Sequence, residues 1–275
     1  MGKSSQNGFD PGAFSNLNAI NEAVEYVNYL EHTTARLREL SRARYELLNL
    51  GPGDVVLDVG CGLGEDTREL ASLVAPRGRV IGIDSSATMV AQARKRSQKF
   101  GRAVKFSVGD ARELKFADAS FAACWSERML QHLSDPARAI AEMVRVIKPG
   151  GTIVLFEPDH STLVIDAADR ATTRSIALTL ADSIRSSWIG SALFGLLKAN
   201  GLKDVMIIPT PLLSNNLPNA NDLLRLDVAA KIAVAKGLVT TDAVTKWFAD
   251  LRRREAAGRF FGCLLCFTAV AGKPR

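Results

Sequence analysis

The chain has 275 residues, of which 47% are hydrophobic and 23% charged. This length accommodates one large domain with a buried core, and the composition excludes a disordered or fibrous protein. The net charge of +6 is compatible with an anionic partner, but over 275 residues it does not by itself predict nucleic-acid binding. No apolar run is long enough to span a bilayer, and residues 1–8 lack a signal-peptide core, so we expect a cytoplasmic protein without stable membrane insertion.

The four cysteines do not suggest a disulfide framework in a chain of this length. Cys263 and Cys266 form a CxxC pair, but they lie within the apolar run 260–270 and there is no second pair to complete a zinc site. We therefore predict that they pack in the core and that the protein binds no metal.

In chain order, residues 1–18 are rich in Gly, Ser and Asn and are predicted to be a flexible N-terminus. Residues 19–275 are predicted to form one domain, beginning with amphipathic helices over 19–49 that act as a lid. The segment 50–157 then alternates apolar strands with helices, which is typical of a parallel α/β sheet.

The predicted fold is a Rossmann-like, mostly parallel sheet of seven strands with an antiparallel last strand. Asp135 before Pro136 predicts a helix N-terminus, and Asn200-Gly201 predicts a helix end. The predicted strands lie near 55–59, 79–84, 104–109, 121–126, 151–157, 204–209 and 261–270, and helices are predicted near 64–75, 86–99, 136–147 and 190–200.

Two further segments, 158–189 and 212–258, exceed what an alternating sheet needs and show helical periodicity. Both follow strand ends, where open α/β sheets bind their ligands and where variable segments set specificity. We interpret them as helical cover insertions over a pocket.

A glycine-rich turn directly follows the first predicted strand. Its pattern is G-x-G-x-G over 60–64, followed at once by Glu65 and Asp66, whereas a dinucleotide fingerprint is G-x-G-x-x-G. Two carboxylates at a helix start repel a pyrophosphate. They suit S-adenosylmethionine, which has no phosphate and carries a sulfonium and an ammonium group. The spacing thus favours this cofactor over a nicotinamide.

Together with four further motifs, this turn resembles the class I S-adenosylmethionine-dependent methyltransferases, especially their ubiquinone/menaquinone-biosynthesis-like branch. The resemblance covers residues 55–157 and weakens after about residue 160. It is carried by VLDVGCGLG at 56–64, RVIGIDSSATM at 79–89, VGDA at 108–111, LQHL at 130–133 and VIKPGG at 146–151.

The resemblance implies cofactor contacts at the ends of successive strands. Asp84, followed by Ser85, is expected to accept both ribose hydroxyls, a role that a carboxylate at the second strand end also fulfils in dinucleotide sites. Asp110 and the Ala111 N–H are implied at the adenine, beside Met89. The remaining implied contacts are Asp58, Gly60, Cys61, Gly62, Gly109 and Ser126.

Methyl transfer from a sulfonium needs a well-placed acceptor and, where the acceptor must lose a proton, a nearby base. His132 follows the fourth strand and is the candidate base, and His160, after the fifth strand, is the weaker alternative. His32 falls within the N-terminal helices. Backbone hydrogen bonding by His132, with no chemical role, stays an equal alternative.

The acceptor is predicted to be a small, hydrophobic or aromatic metabolite, methylated on oxygen, nitrogen or carbon. The segment Cys124-Trp125-Ser126-Glu127 lacks both the Pro-Pro-aromatic motif and the Pro-Cys motif of nucleic-acid methyltransferases, so nucleic acid is not expected as a partner. An RNA methyltransferase, a nicotinamide-dependent oxidoreductase and a non-catalytic S-adenosylmethionine-binding protein stay open as alternatives. The chain is expected to act as a monomer or homodimer.

Overall fold

The structure is a computed structural model that describes residues 41–275. Residues 41–45 are helical and a 3₁₀ turn follows at Glu46–Leu48. The predicted flexible segment 1–18, most of the predicted lid 19–49, and His32 lie outside the described residues.

The predicted parallel sheet forms, with strands in the order β3-β2-β1-β4-β5-β8 and β7 on the far side of β8. Neighbours from β3 to β5 run parallel, and β8 is antiparallel to both β5 and β7. The strands are β1 (Val55–Val59), β2 (Arg79–Asp84), β3 (Val104–Val108), β4 (Phe121–Glu127), β5 (Ile147–Pro158), β6 (Val164–Ile165), β7 (Lys203–Ser214) and β8 (Gly262–Gly272).

Within residues 41–275 the sheet has eight strands, which are the seven expected ones and one more. The extra strand is the two-residue β6, in which Val164 pairs with Cys263 and Ile165 with Gly262. It forms because the chain leaving β5 runs on beside the start of β8, a short pairing for which the apolar pattern gives no separate signal.

The helices of the alternating half begin and end close to their predicted positions. The Asp135 carboxylate accepts the Arg138 N–H at 2.9 Å ahead of Pro136, as the predicted cap requires. The labelled helices are α1 (Glu65–Leu73), α2 (Ala87–Arg96), α3 (Pro136–Val146), α4 (Arg170–Ser183), α5 (Ile189–Ala199), α6 (Leu217–Leu224), α7 (Leu226–Ala235) and α8 (Thr241–Ala256).

Helices cover both faces of the sheet, so each face has its own apolar core. On one face Leu57 and Val59 pack with residues of α3 and α5, and on the other Val56 and Trp125 pack with α1, α2 and Tyr45. This double covering explains why the strands read as nearly continuous apolar runs.

A third apolar cluster joins α4, α6, α7 and α8 to the start of β8, around Trp247 and Leu251. Both predicted insertions thus contain helices, and these helices pack on one another. That residues 19–275 act as a single unit, with these helices as its cover, stays a prediction.

Within residues 41–275 no helix combines the length and the apolar character needed to cross a membrane. In the same range, His, Cys, Asp and Glu side chains do not come together in a group that could hold a metal ion.

Candidate active site

A cavity of about 350 Å³ opens where the strand order reverses, between the carboxyl ends of β1 and β4. Open α/β sheets bind ligands at this switch point because the crossovers on its two sides leave in opposite directions. Most of the sequence-predicted site residues line it, namely Gly60, Cys61, Gly62, Asp84, Ser85, Met89, Gly109, Asp110, Ala111, His132 and His160.

The backbone of the glycine turn after β1 lies close to the Met129 side chain and to the end of β2. Gly60 has φ of 81°, and a Cβ atom there would stand 2.4 Å from the Cγ of Met129. The N–H groups of Gly60 and Cys61 both donate to the Ile83 carbonyl, which ties the turn to the end of β2. A side chain at position 60 is therefore disfavoured both by the positive φ and by the close contact with Met129.

Asp84, at the end of β2, has a fixed carboxylate. Its Oδ2 accepts the Gly62 N–H at 3.0 Å and its Oδ1 accepts the Ser86 N–H at 2.8 Å. Burial raises the pKa of Asp84, and these two N–H donors act against that rise. Each oxygen retains acceptor capacity, which is the arrangement that a vicinal diol such as a ribose requires.

Asp110, which follows the end of β3, forms an ion pair with Arg112. The guanidinium donates to both carboxylate oxygens, at 3.0 Å and 2.7 Å, and holds the pKa of Asp110 below its usual range. Arg112 also donates to Ser134, so this pair links the loop after β3 to the loop after β4.

Asp58 and Ser126 are not among the described residues that line the cavity. Asp58 shares the sheet face of Val56, where its carboxylate accepts the Thr67 hydroxyl at 2.5 Å, and burial raises its pKa. Ser126 is buried and its hydroxyl donates to the Val59 carbonyl at 2.8 Å. Both side chains brace the strands, and cofactor contact by either stays a prediction.

Asp66, not singled out as a cofactor contact, does line the cavity. Its carboxylate accepts the Tyr45 hydroxyl at 2.5 Å and the Trp125 indole N–H at 3.2 Å. Burial, reinforced by the charge of Glu127, raises its pKa to about 6. The signal was present in the sequence, as the second acid after the glycine turn.

Glu127 ends β4 and also lines the cavity. One carboxylate oxygen accepts from Ser41 at 2.9 Å and from Arg44 at 2.8 Å, and the other lies 3.5 Å from Arg128. The Arg44 guanidinium stacks 3.6 Å above the Phe156 ring. This buried ion pair fixes the carboxylate at the edge of the cavity.

The post-β4 loop, residues 128–134, is fixed by hydrogen bonds to the carboxylate of Glu157. Glu157 on β5 accepts the N–H groups of Met129 at 2.9 Å, Leu130 at 2.7 Å and Gln131 at 3.3 Å. Complete burial raises the pKa of Glu157 to about 8 against the effect of these donors. Glu157 thereby caps the 3₁₀ turn Leu130–His132 and positions its side chains.

Both candidate histidines reach the cavity, from different strands. Gln131 donates its amide N–H to the Arg128 carbonyl at 3.1 Å, which turns its oxygen toward His160 Nε2 at 2.9 Å. His160 Nε2 therefore carries the hydrogen, and its buried Nδ1 has no hydrogen-bond partner among residues 41–275. Burial lowers the pKa of His160 to about 4, and burial also lowers that of His132, together with the charges of His160, Arg128 and Arg185.

The cysteines do not form a nucleophilic site. Cys124 is fully buried, and burial raises the pKa of its thiol. Cys266 lines the cavity, but burial raises its pKa to about 12, so it is a thiol at neutral pH.

Two sides of the cavity differ in character. The acidic side consists of the glycine turn with Glu65, Asp66, Asp84, Asp110 and Glu127. The apolar side consists of Leu180, Ile184, Leu212, Leu223, Leu224 and Leu264, with Arg185 and Arg225 beside them. Carboxylates beside a glycine turn whose backbone is accessible fit a cationic, ribose-bearing ligand such as S-adenosylmethionine. The third glycine of a pyrophosphate-binding motif is absent, because Glu65 occupies that position.

Comparison with known proteins agrees with this geometry. Residues 57–155 match the family described as a methyltransferase domain. A 37.1 kDa protein of transposon TN4556 from Streptomyces fradiae is 36% identical over 254 residues, which cover 92% of this chain and 72% of that protein.

Two further relatives extend the comparison. Demethylmenaquinone methyltransferase from Bacillus cytotoxicus is 34% identical over 43% of this chain and 50% of its own length, so the match spans about half of that enzyme. The crystal structure of the [4+2]-cyclase SpnF superposes with a TM-score of 0.53 at 27% identity, over 86% of this chain and 80% of that one.

The motifs, the strand order, the acidic glycine turn and these similarities agree with one another. The chain belongs to the class I S-adenosylmethionine-dependent methyltransferases, and S-adenosylmethionine is its methyl donor.

Proposed function

We propose that this enzyme methylates a small, largely apolar metabolite bound on the apolar side of the cavity. The observation that carries the proposal is the division of one cavity into an acidic side at the strand ends and a leucine-lined side formed with the helical insertions. One of its relatives acts, by its name, on demethylmenaquinone.

On the acidic side, we assign cofactor binding to the residues that the sequence singled out. We expect Asp84 to accept the ribose hydroxyls and the backbone at Gly60 and Gly62 to lie against the methionine portion. We add Asp66 and Glu127, whose carboxylates face a ligand with two positive charges. The bound cofactor supplies an electrophilic methyl group on a sulfonium.

For proton removal we propose His132, with His160 as the alternative. Both line the cavity, and their lowered pKa values keep both rings neutral at pH 7, so either has a lone pair for a proton. Glu157 is a positioning residue, because it fixes the turn that carries His132 without lining the cavity itself.

The apolar character of the wall argues against RNA as the acceptor. Recognition of an unpaired base commonly uses stacking on aromatic rings, whereas the apolar side of this cavity is formed by aliphatic side chains, with Arg185 and Arg225 beside them. The similarity to a cyclase shows that a related fold accommodates another reaction, so release of S-adenosylhomocysteine is the readout that distinguishes methyl transfer from binding alone.

The acceptor side is tested at Leu212 on β7, with its neighbour as the control. Leu212 is half-buried in the cavity wall, whereas Leu213 points away from it and is 64% exposed. We expect Leu212→Gln to weaken calorimetric binding of 1-naphthol to S-adenosylhomocysteine-saturated protein by about threefold to tenfold, because an apolar contact is lost.

Leu213→Gln should bind 1-naphthol as the unchanged protein does, and both variants should retain affinity for S-adenosylhomocysteine. Equal binding of 1-naphthol by the two variants would contradict the placement of the acceptor.

A further inference from the structure

Three arginines line the cavity, and two of them, Arg185 and Arg225, lie beside its apolar side. Arg128 comes from the post-β4 loop, Arg185 follows α4, and Arg225 lies between α6 and α7, and all three line the cavity. They come from elements far apart in sequence, so the fold alone brings them to one pocket. The carboxylates that line the same cavity come instead from the acidic side.

The three guanidinium groups differ in their carboxylate partners, and the charge of Arg128 acts on Asp66 and Glu157 as well as on Glu127. Arg128 lies 3.5 Å from a Glu127 carboxylate that already accepts from Arg44, and Arg225 lies 3.9 Å from the half-exposed Asp227. Arg185 forms no salt bridge with any carboxylate within residues 41–275. A guanidinium in this position attracts an anionic group and repels an ammonium.

The pKa of His132 also responds to this positive charge. His132 lies close enough to Arg128 and Arg185 for both charges to lower its pKa, in addition to the effect of burial. A second positive charge at this point of the cavity is therefore disfavoured. An amine acceptor arriving as its ammonium ion would meet the same penalty, whereas an acid arriving as its anion would be stabilised.

We propose that the acceptor is an apolar acid that binds as its anion, with Arg185 as the principal contact and Arg128 and Arg225 as supporting charges. This inference rests on the proposed function, because it identifies the class of molecule held on the apolar side. It specifies an oxygen-bearing acid over a basic amine, a choice that the glycine and carboxylate motifs leave open.

The test compares two probes of the same apolar scaffold and opposite charge. 1-Naphthoate and 1-naphthylmethylammonium are titrated by calorimetry into the protein saturated with S-adenosylhomocysteine at pH 7.5. We expect 1-naphthoate to bind at least about tenfold more tightly than the ammonium probe. We expect Arg185→Gln to weaken 1-naphthoate binding by about threefold to tenfold, a range that allows for screening of an exposed guanidinium by water.

The matched control is Arg252→Gln, which removes the same charge from an exposed position on α8 away from the cavity. It should leave binding of both probes unchanged. The inference is wrong if the acid does not bind more tightly than the amine, including the case in which neither binds, or if Arg185→Gln and Arg252→Gln affect 1-naphthoate equally.

The first step of the same experiment separates this inference from the proposed function. Saturation with S-adenosylhomocysteine must be observed before either probe is added. Its absence contradicts the cofactor assignment, whereas normal saturation followed by preference for the ammonium probe contradicts only the charge of the acceptor.

Discussion

The two sides of the cavity are built in different ways. On the acidic side, contacts within one stretch of sheet fix the ligand-binding groups, as when Asp84 accepts the Gly62 and Ser86 N–H groups. On the apolar side, the lining comes from α4, α6 and the strands β7 and β8, which are distant in sequence. In the proposed function, the cofactor and the acceptor are thus bound by separate parts of the chain.

This difference indicates where substitutions will act. Changes on the acidic side are expected to alter cofactor affinity or the fold itself, because hydrogen bonds fix the backbone there. Changes on the apolar side are expected to alter the acceptor while leaving cofactor binding intact. Variants that change cofactor affinity and acceptor affinity equally would contradict this division of the cavity.

The largest effect is expected at His132, the proposed base. If it takes a proton from the acceptor, His132→Ala should reduce turnover by about 10²–10⁴-fold while cofactor affinity stays nearly unchanged. The measurement is release of S-adenosylhomocysteine at saturating acceptor, together with calorimetric binding of S-adenosylhomocysteine.

His160→Ala is the companion variant, because His160 lines the same cavity but is held by Gln131. A large loss in His160→Ala with full turnover in His132→Ala would transfer the proposed role to His160. Full turnover in both variants would show that placing the acceptor is sufficient and that no base is needed.

A smaller effect is expected at Gly60, on stability. Gly60→Ala should lower the free energy of unfolding by about 1–3 kcal/mol, because an alanine must adopt a positive φ there and its Cβ displaces Met129. Urea unfolding followed by circular dichroism measures the change.

Gly195→Ala is the matched control, since it lies within α5 and an added Cβ meets no atom within 4 Å. Alanine there should be neutral or stabilising by about 0.5–1 kcal/mol. Equal destabilisation by the two changes would contradict the account of the glycine turn.

Much of the acidic side could be predicted from sequence because its information is local. The apolar run 55–59, the glycines after it and the acid at 84 each carry their signal within a few residues. The strand order then places these segments together, since parallel strands end at one edge of the sheet. The same logic predicted the cap at Asp135.

The less visible features depend on packing between distant residues. Strand alternation places Asp58 on the face toward α1, where the Thr67 hydroxyl donates to it. The position of Asp58 within the glycine motif does not predict this hydrogen bond. Arg185 and Arg225 reach the cavity only because α4, α6 and α7 pack together, and no spacing in the sequence records this.

The most direct test of the central claim is the affinity of Asp84→Ala for S-adenosylmethionine, because the claim assigns the cofactor to the acidic side. The control is Asp182→Ala, an exposed carboxylate on α4 that does not line the cavity. We predict a loss of more than about tenfold in Asp84→Ala, from roughly 1.5–3 kcal/mol for hydrogen bonds to a charged group, and no change in the control. Unchanged affinity of Asp84→Ala by calorimetry would contradict the account.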